Sequence, residues 1–210
     1  MYAYGGSTMT STVSTGGVAR WLLPTGIYVL LSTPLLWLVF AIATNALGPD
    51  PAEAVMEFTG EWALRLLLLT LCARPFARWG RPLLMRFRRS LGLFCFLYAS
   101  LHLLTFGQVY IGWDGVILLE ELAERPYVLV GFSAWVVLLP LAITSTKGLR
   151  RRMGARWRQL HQGIYLALVM AWLHLLWLVR SDYGEAVIYG VFAALLLVWR
   201  VQQVRVKRAR

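Results

Sequence analysis

The chain has 210 residues, of which 59% are hydrophobic and ten are tryptophan, with a mean hydropathy of +0.61. A soluble domain of this size cannot bury so much apolar surface, so lipid has to cover part of it. The net charge of +11 would suit a nucleic-acid partner, but the placement of the charges along the chain excludes that reading.

Residues 1–17 are rich in Ser, Thr and Gly and lack the basic start and apolar stretch of a cleaved signal, so a disordered tail is expected there. A bilayer core takes roughly 20 residues of helix to cross, and six apolar runs approach or exceed that length. They cover residues 21–46, 62–77, 91–109, 127–146, 160–179 and 186–204. The second has the shortest clean apolar core and contains Arg65, with room for helix to extend outward through Glu61. The expected architecture is therefore all-α: a six-helix membrane bundle over residues 18–204, both termini cytoplasmic, and a basic cytoplasmic tail at 205–210.

Charge sorting fixes the orientation. The ten acidic residues fall in the three loops of one face: Asp50, Glu53, Glu57 and Glu61, then Asp114, Glu120, Glu121 and Glu124, then Asp182 and Glu185. Of the 21 basic residues, all except Arg65, Arg125 and Arg180 fall on the other face. Their main clusters are at residues 74–89, 147–158 and 200–210. The basic face is cytoplasmic by the positive-inside rule, and its charge serves topology and anionic-lipid contact, not nucleic acid.

Residues 112–125, in the second outer loop, mix Val116, Ile117, Leu119 and Leu122 with acids, as a short helix lying at the membrane surface would. Pro24, Pro34 and Pro140 fall inside spans and mark bends. Cys72 and Cys95 lie in cytoplasmic halves of spans, where they read as small packing residues and not as a disulfide. No internal repeat is visible, and the connections are too short for a second domain.

All three histidines lie in or at the edge of a span: His102 in the third, His161 and His174 in the fifth. An imidazole in hydrocarbon costs free energy unless it is paired, so each is a functional candidate, set against the plainer use of bonding a neighbouring helix. His102 follows Arg89 by 13 residues and His174 follows Arg158 by 16. At 1.5 Å per residue, both lie roughly 20 Å above the cytoplasmic boundary. Two imidazoles at one depth on two helices meet the requirement for axial ligation of heme iron from both sides. Ala99 and Ala171, one turn before each, are small enough to admit a flat macrocycle.

His161 sits near the cytoplasmic surface, roughly 20 Å from His174 along the same helix, and cannot serve the same iron. A flavin contact, a quinone hydrogen bond and a second heme with an unusual ligand all fit it. Arg65, a charge in the outer half of the second span, either snorkels to the headgroups or meets a heme propionate.

Four stretches carry a family resemblance: TGEWALRLLLLTLCARP (59–75), RRSLGLFCFLYASLHLLTF (88–106), RPYVLVGFSAWVVLLPLAITS (125–145) and RWRQLHQGIYLALVMAWLHLLW (156–177). In this order they resemble the MsrQ family, heme-binding membrane subunits of the bacterial periplasmic methionine sulfoxide reductase system. That family lies within the wider ferric reductase and NADPH oxidase type of transmembrane domain. The wider group carries two histidine pairs on two helices, whereas three histidines here complete one pair, His102 with His174. The resemblance implies a multi-pass inner-membrane protein that binds heme b and FMN. It also implies delivery of electrons to a periplasmic molybdenum-containing subunit that reduces oxidised methionine in proteins. FMN comes from the resemblance alone, and the cytoplasmic-loop arginines, Arg88 and Arg89 among them, are candidates for its phosphate.

The resulting expectation is an electron-transfer subunit, not the catalytic one: His102 and His174 as axial ligands, His161 near electron uptake, Arg65 at the cofactor, and the acidic face docking the reductase. The donor is the quinol pool or a cytoplasmic flavin reductase. Two competing readings are a stand-alone transmembrane ferric or quinone reductase, and a proton-coupled transporter with a histidine relay. The latter wants acidic partners inside the spans and an inverted repeat, neither of which the sequence offers.

Overall fold

The computed structural model describes residues 16–179 and 183–208. Residues 1–15 of the expected tail, residues 180–182 with Arg180 and Asp182, and residues 209–210 lie outside the described residues. The order is α1 (Gly16–Ala43), α2 (Pro51–Arg78), α3 (Leu83–Phe106), a π-helical turn (Gly107–Ile111), α4 (Gly115–Glu124), α5 (Pro126–Ile143), α6 (Lys147–Met153), α7 (Ala155–Leu160), α8 (Gly163–Leu178) and α9 (Gly184–Arg208). Among the described residues there is no strand, as the all-α expectation requires.

Local chemistry sets the helix starts. Asp50 caps α2 by accepting the Glu53 N–H at 3.0 Å, with Pro51 in the first turn where its missing N–H costs nothing. Asp114 caps α4 by accepting the Val116 N–H at 2.7 Å, so the short helix expected in the second outer loop forms. Gly80, at φ +81°, takes the left-handed turn that follows α2. Pro24 and Pro34 stay inside α1, and Pro140 inside α5.

Among the described residues, five helical stretches are long and apolar enough to cross a membrane: Pro24–Ala43, Leu83–Ile111, Pro126–Ile143, Ala155–Leu178 and Gly184–Val206. The other expected span, α2, is 28 residues long, about 42 Å of helix, and it extends past Glu61 to begin at Pro51. Its composition sets it apart, because Arg65 interrupts its apolar run, which Glu61 and Arg74 close off. Protein neighbours receive much of it: Leu64, Leu66, Leu67, Leu68 and Leu71 are all buried. Arg65 is neutralised on its own helix by Glu61 at 2.7 Å.

The core consists of α2 packed on α3 and α5 packed on α8, with further contact between α3 and α5. Tyr98, Leu66, Leu67, Leu168 and Cys95 are sealed at its centre, and Cys72 and Cys95 are both free thiols. On the periphery, Leu30 and Leu36 of α1 and Leu195 of α9 are more than 60% exposed, as lipid-facing side chains would be. The expected fifth span is broken at its basic end, where α7 stops before His161 and α8 begins at Gly163. The Trp157 indole donates to Thr144 O at 2.9 Å, and Thr144 Oγ1 lies 3.0 Å from His161 Nε2. These bonds tie the α7 end to the end of α5.

Candidate functional site

His102 projects from α3 onto α2, and His174 projects from α8 onto α5, and the two contacts are built alike. His102 Nδ1 lies 2.9 Å from Met56 O, and His174 Nδ1 lies 2.7 Å from Tyr127 O. Four residues after each carbonyl comes a glycine beneath the ring. A Cβ added at Gly60 would stand 3.1 Å from Nδ1 and Cε1 of His102, and one at Gly131 would stand 2.6 Å from Nδ1 of His174. Each glycine is thus a notch that lets an imidazole lie against the neighbouring backbone and reach the carbonyl one turn earlier. The spacing from glycine to histidine is 42 residues in the first pair and 43 in the second. Two helical hairpins therefore repeat one construction with no repeat visible in the sequence.

The bonds decide the tautomer. A backbone carbonyl only accepts, so Nδ1 of each ring carries the proton and Nε2 keeps its lone pair. A carbonyl on the far nitrogen is also the usual way a protein orients a metal-binding imidazole.

The rings then meet across the core with centroids 6.1 Å apart and planes 82° to one another. Two imidazoles that bind one metal from opposite sides, with metal–nitrogen bonds of about 2 Å, place their centroids about 6 Å apart. Among the described residues, no group of three or more His, Cys, Asp or Glu could hold a bare metal ion. The pair therefore fits a metal whose remaining ligands arrive with it, which a porphyrin provides.

A third glycine notch shows what the motif does without a metal. Trp172 Nε1 donates to Ala186 O at 2.9 Å, and a Cβ at Gly190, four residues later, would lie 2.7 Å from that nitrogen. An indole N–H has no lone pair to offer, so this copy joins α8 to α9 and cannot ligate a metal.

Of the other expected residues, Arg65 is brought to α9. Its Nε donates to the Tyr189 hydroxyl at 2.9 Å, and its guanidinium lies 5.5 Å from the Trp62 ring centroid, besides the Glu61 pair. His161 is at the basic end, stacked on Trp157 at 4.0 Å between centroids, beside a cavity of about 440 Å³. Ala99 and Ala171, expected to make room at the histidines, belong to the half-buried layer around the hydrophobic core. The residues beneath the rings are the glycines on the facing helices. Sequence reading missed them because glycine is ordinary in membrane helices, and only a facing ring reveals its use.

Comparison with known proteins identifies the family. The family described as ferric reductase like transmembrane component matches residues 59–172, a stretch that holds His102 and His161 and ends two residues before His174. The chain is 46% identical over 176 residues to the protein-methionine-sulfoxide reductase heme-binding subunit MsrQ of Yersinia pseudotuberculosis serotype O:1b, covering 83% of this chain and 87% of that one. To the subunit of the same name from Yersinia pestis (strain Pestoides F) it is again 46% identical, over 83% of this chain and 85% of that one. No solved structure matches. The chain belongs to the ferric reductase like transmembrane component family and, within it, to the MsrQ heme-binding subunits, and it is a multi-pass membrane protein.

Proposed function

We propose that this protein is the membrane electron-transfer subunit of a methionine sulfoxide reductase system, holding one heme b between His102 and His174. The observation that carries the reading is the facing ring pair, 6.1 Å between centroids, with both Nδ1 atoms committed to backbone carbonyls. The relatives, named heme-binding subunits of protein-methionine-sulfoxide reductase, supply the assignment to that system. When bound, heme supplies one-electron redox chemistry.

The chain's own residues do the rest. Met56 and Tyr127 hold the two imidazoles in the tautomer that presents Nε2, and Gly60 and Gly131 let them lie flat enough to converge. α2, α3, α5 and α8 leave both rings only partly exposed, and the backbone carbonyls take Nδ1 so that Nε2 is the nitrogen available to a metal. Arg65, whose pair with Glu61 is about one-third exposed, is assigned to a heme propionate.

In this reading the protein sits in the bacterial inner membrane, α2 is the sixth span, and both termini are cytoplasmic. The acidic outer face receives a periplasmic molybdenum-containing catalytic subunit. Reducing equivalents arrive at the His161 end from the quinol pool or a cytoplasmic flavin reductase, with FMN as a second cofactor. The test is an absorption spectrum of the purified protein, oxidised and then reduced. A six-coordinate heme gives a strong Soret band that sharpens and shifts on reduction, and a colourless preparation would end the reading. Sulfoxide reduction that needs both this chain and the periplasmic subunit separates it from a stand-alone reductase.

A further inference from the structure

The two carbonyls that brace the imidazoles are not equally supported. Met56 lies inside α2, five residues after its start at Pro51, and its carbonyl also accepts the Thr59 hydroxyl at 3.1 Å. Tyr127 comes one residue after the start of α5 at Pro126, in a first turn that no side chain caps. Helix ends fray where such partners are lacking, so the carbonyl that faces His174 is the one that needs holding from outside its helix.

The Tyr127 side chain provides the hold. Its ring packs against the His174 ring with centroids 6.3 Å apart, so this residue meets His174 with its ring and its carbonyl together. Its hydroxyl accepts from Arg125 Nη1 at 3.4 Å, and Arg125 Nη2 pairs with Glu121 Oε1 at 3.1 Å. Glu121 is the anchor, since its side chain is 17% exposed against 48% for Arg125. The far end of α4 is fixed in turn by the Asp114 cap. A guanidinium presents its donors in a rigid fork, which lets one arginine reach from α4 to the first turn of α5.

The chemistry of a metal-binding imidazole gives this contact a consequence. A hydrogen bond from Nδ1 to an acceptor raises the basicity of the ring, and a more basic axial ligand favours oxidised iron over reduced iron. Hydrogen bonding around the ligands is one of the levers by which a protein sets a heme potential. At 2.7 Å, the His174 bond is shorter than the 2.9 Å bond of His102.

We propose that Tyr127, Arg125 and Glu121 are positioning residues for His174, forming a clamp at the outer surface that keeps its carbonyl bond short and thereby holds the heme potential low. The clamp rests on the His102–His174 heme reading and deepens it. Arg125 acts in it through Tyr127, and a bare charge effect would have the opposite sign. Loss of a nearby cation favours the more positive, oxidised iron and lowers the potential, whereas loss of the clamp raises it.

The experiment is a spectroelectrochemical titration of the full chain purified with its heme. Tyr127→Phe removes only the hydroxyl and keeps the ring and the carbonyl. It is expected to raise the midpoint potential enough to change the reduced-to-oxidised ratio at a fixed poise about threefold, the scale of one weakened hydrogen bond. Arg125→Lys keeps the charge and gives up the fork, so it should raise the potential by a similar factor. Combined with Tyr127→Phe it should add little, because both changes break one chain of contacts.

A potential that is unchanged or lowered in Tyr127→Phe overturns the clamp. Equal shifts from Arg125→Lys with and without the Tyr127 hydroxyl also overturn it, since Arg125 would then act by another route. Loss of heme from Tyr127→Phe would make the hydroxyl a support of ligation itself and end the tuning role. A parent protein without the spectrum of a six-coordinate heme would sink the His102–His174 reading and the clamp with it, so the two failures are told apart in the parent sample.

Discussion

The two ends of α8 carry histidines in opposite settings. At the outer level, His174 meets His102 across an apolar core, each ring braced by a carbonyl and a glycine notch. At the basic end, His161 has no facing histidine, its Nε2 lies 3.0 Å from Thr144 Oγ1, and arginines surround the adjoining cavity. The nitrogen left free at the outer level is already in a hydrogen bond at the inner one. A histidine becomes a metal ligand through what its other nitrogen does and what faces it, and the residue type alone decides neither.

The largest expected effect follows directly. Replacing either His102 or His174 with Ala removes one side of the pair, and the outer heme is lost in both variants. His161→Ala keeps it. Heme-to-protein ratios and the reduced spectrum of the three purified variants check this. Loss in His161→Ala with retention in either of the others would reverse the assignment of the two levels.

The next effect tests the notches. In Gly131→Ala, the new Cβ would stand 2.6 Å from His174 Nδ1 and 2.8 Å from Cε1, closer than atoms can pack. The ring must move, its bond to Tyr127 O stretches, and Nε2 turns from the shared axis. Disturbing such an orienting contact costs about 10- to 100-fold in metal affinity, so heme should wash out of this variant during purification. Gly60→Ala should do much less, since its Cβ would stand 3.1 Å from the His102 ring and a few tenths of an ångström of movement admits it. About threefold weaker retention, the scale of one weakened hydrogen bond, is expected. Equal losses in the two variants would show that the notches do not act through ring position.

How far the sequence announced this arrangement differs from part to part. The shared depth of His102 and His174 could be counted from Arg89 and Arg158, because helix rise is constant and basic runs mark the membrane boundary. The extension of α2 past Glu61 was legible too, but its full length was not, since the helix begins at Pro51 among acidic residues that read as loop, and its charges make it the least membrane-like of the long helices.

The notches were not legible, because Met56 and Gly60 acquire meaning only when His102, more than forty residues away, lies over them. The break before α8 was hidden for a similar reason, since Thr144 belongs to the end of α5 and nothing local to His161 predicts their pairing. The duplicated hairpin escaped because it conserves a geometry, ring over glycine under carbonyl, which Trp172 over Gly190 copies with a different residue.

Arg65 supplies the smallest expected effect and sharpens the contrast between the two levels. Among the described residues the cavity arginines at the basic end have no acidic partner, whereas Arg65 has Glu61 at 2.7 Å and the Tyr189 hydroxyl at 2.9 Å. A cation already paired gains less from a propionate than an unpaired one, because the new bond replaces an old one. With both partners about one-third exposed, the pair contributes on the order of 1 kcal/mol or less. Arg65→Ala should therefore weaken heme retention by no more than about fivefold and leave the reduced spectrum's band positions unchanged, since neither axial ligand moves. Heme stoichiometry equal to that of the parent would remove Arg65 from the cofactor and leave it as the strut joining α2 to α9. Altered band positions would instead mean that Arg65 holds the ring pair in register.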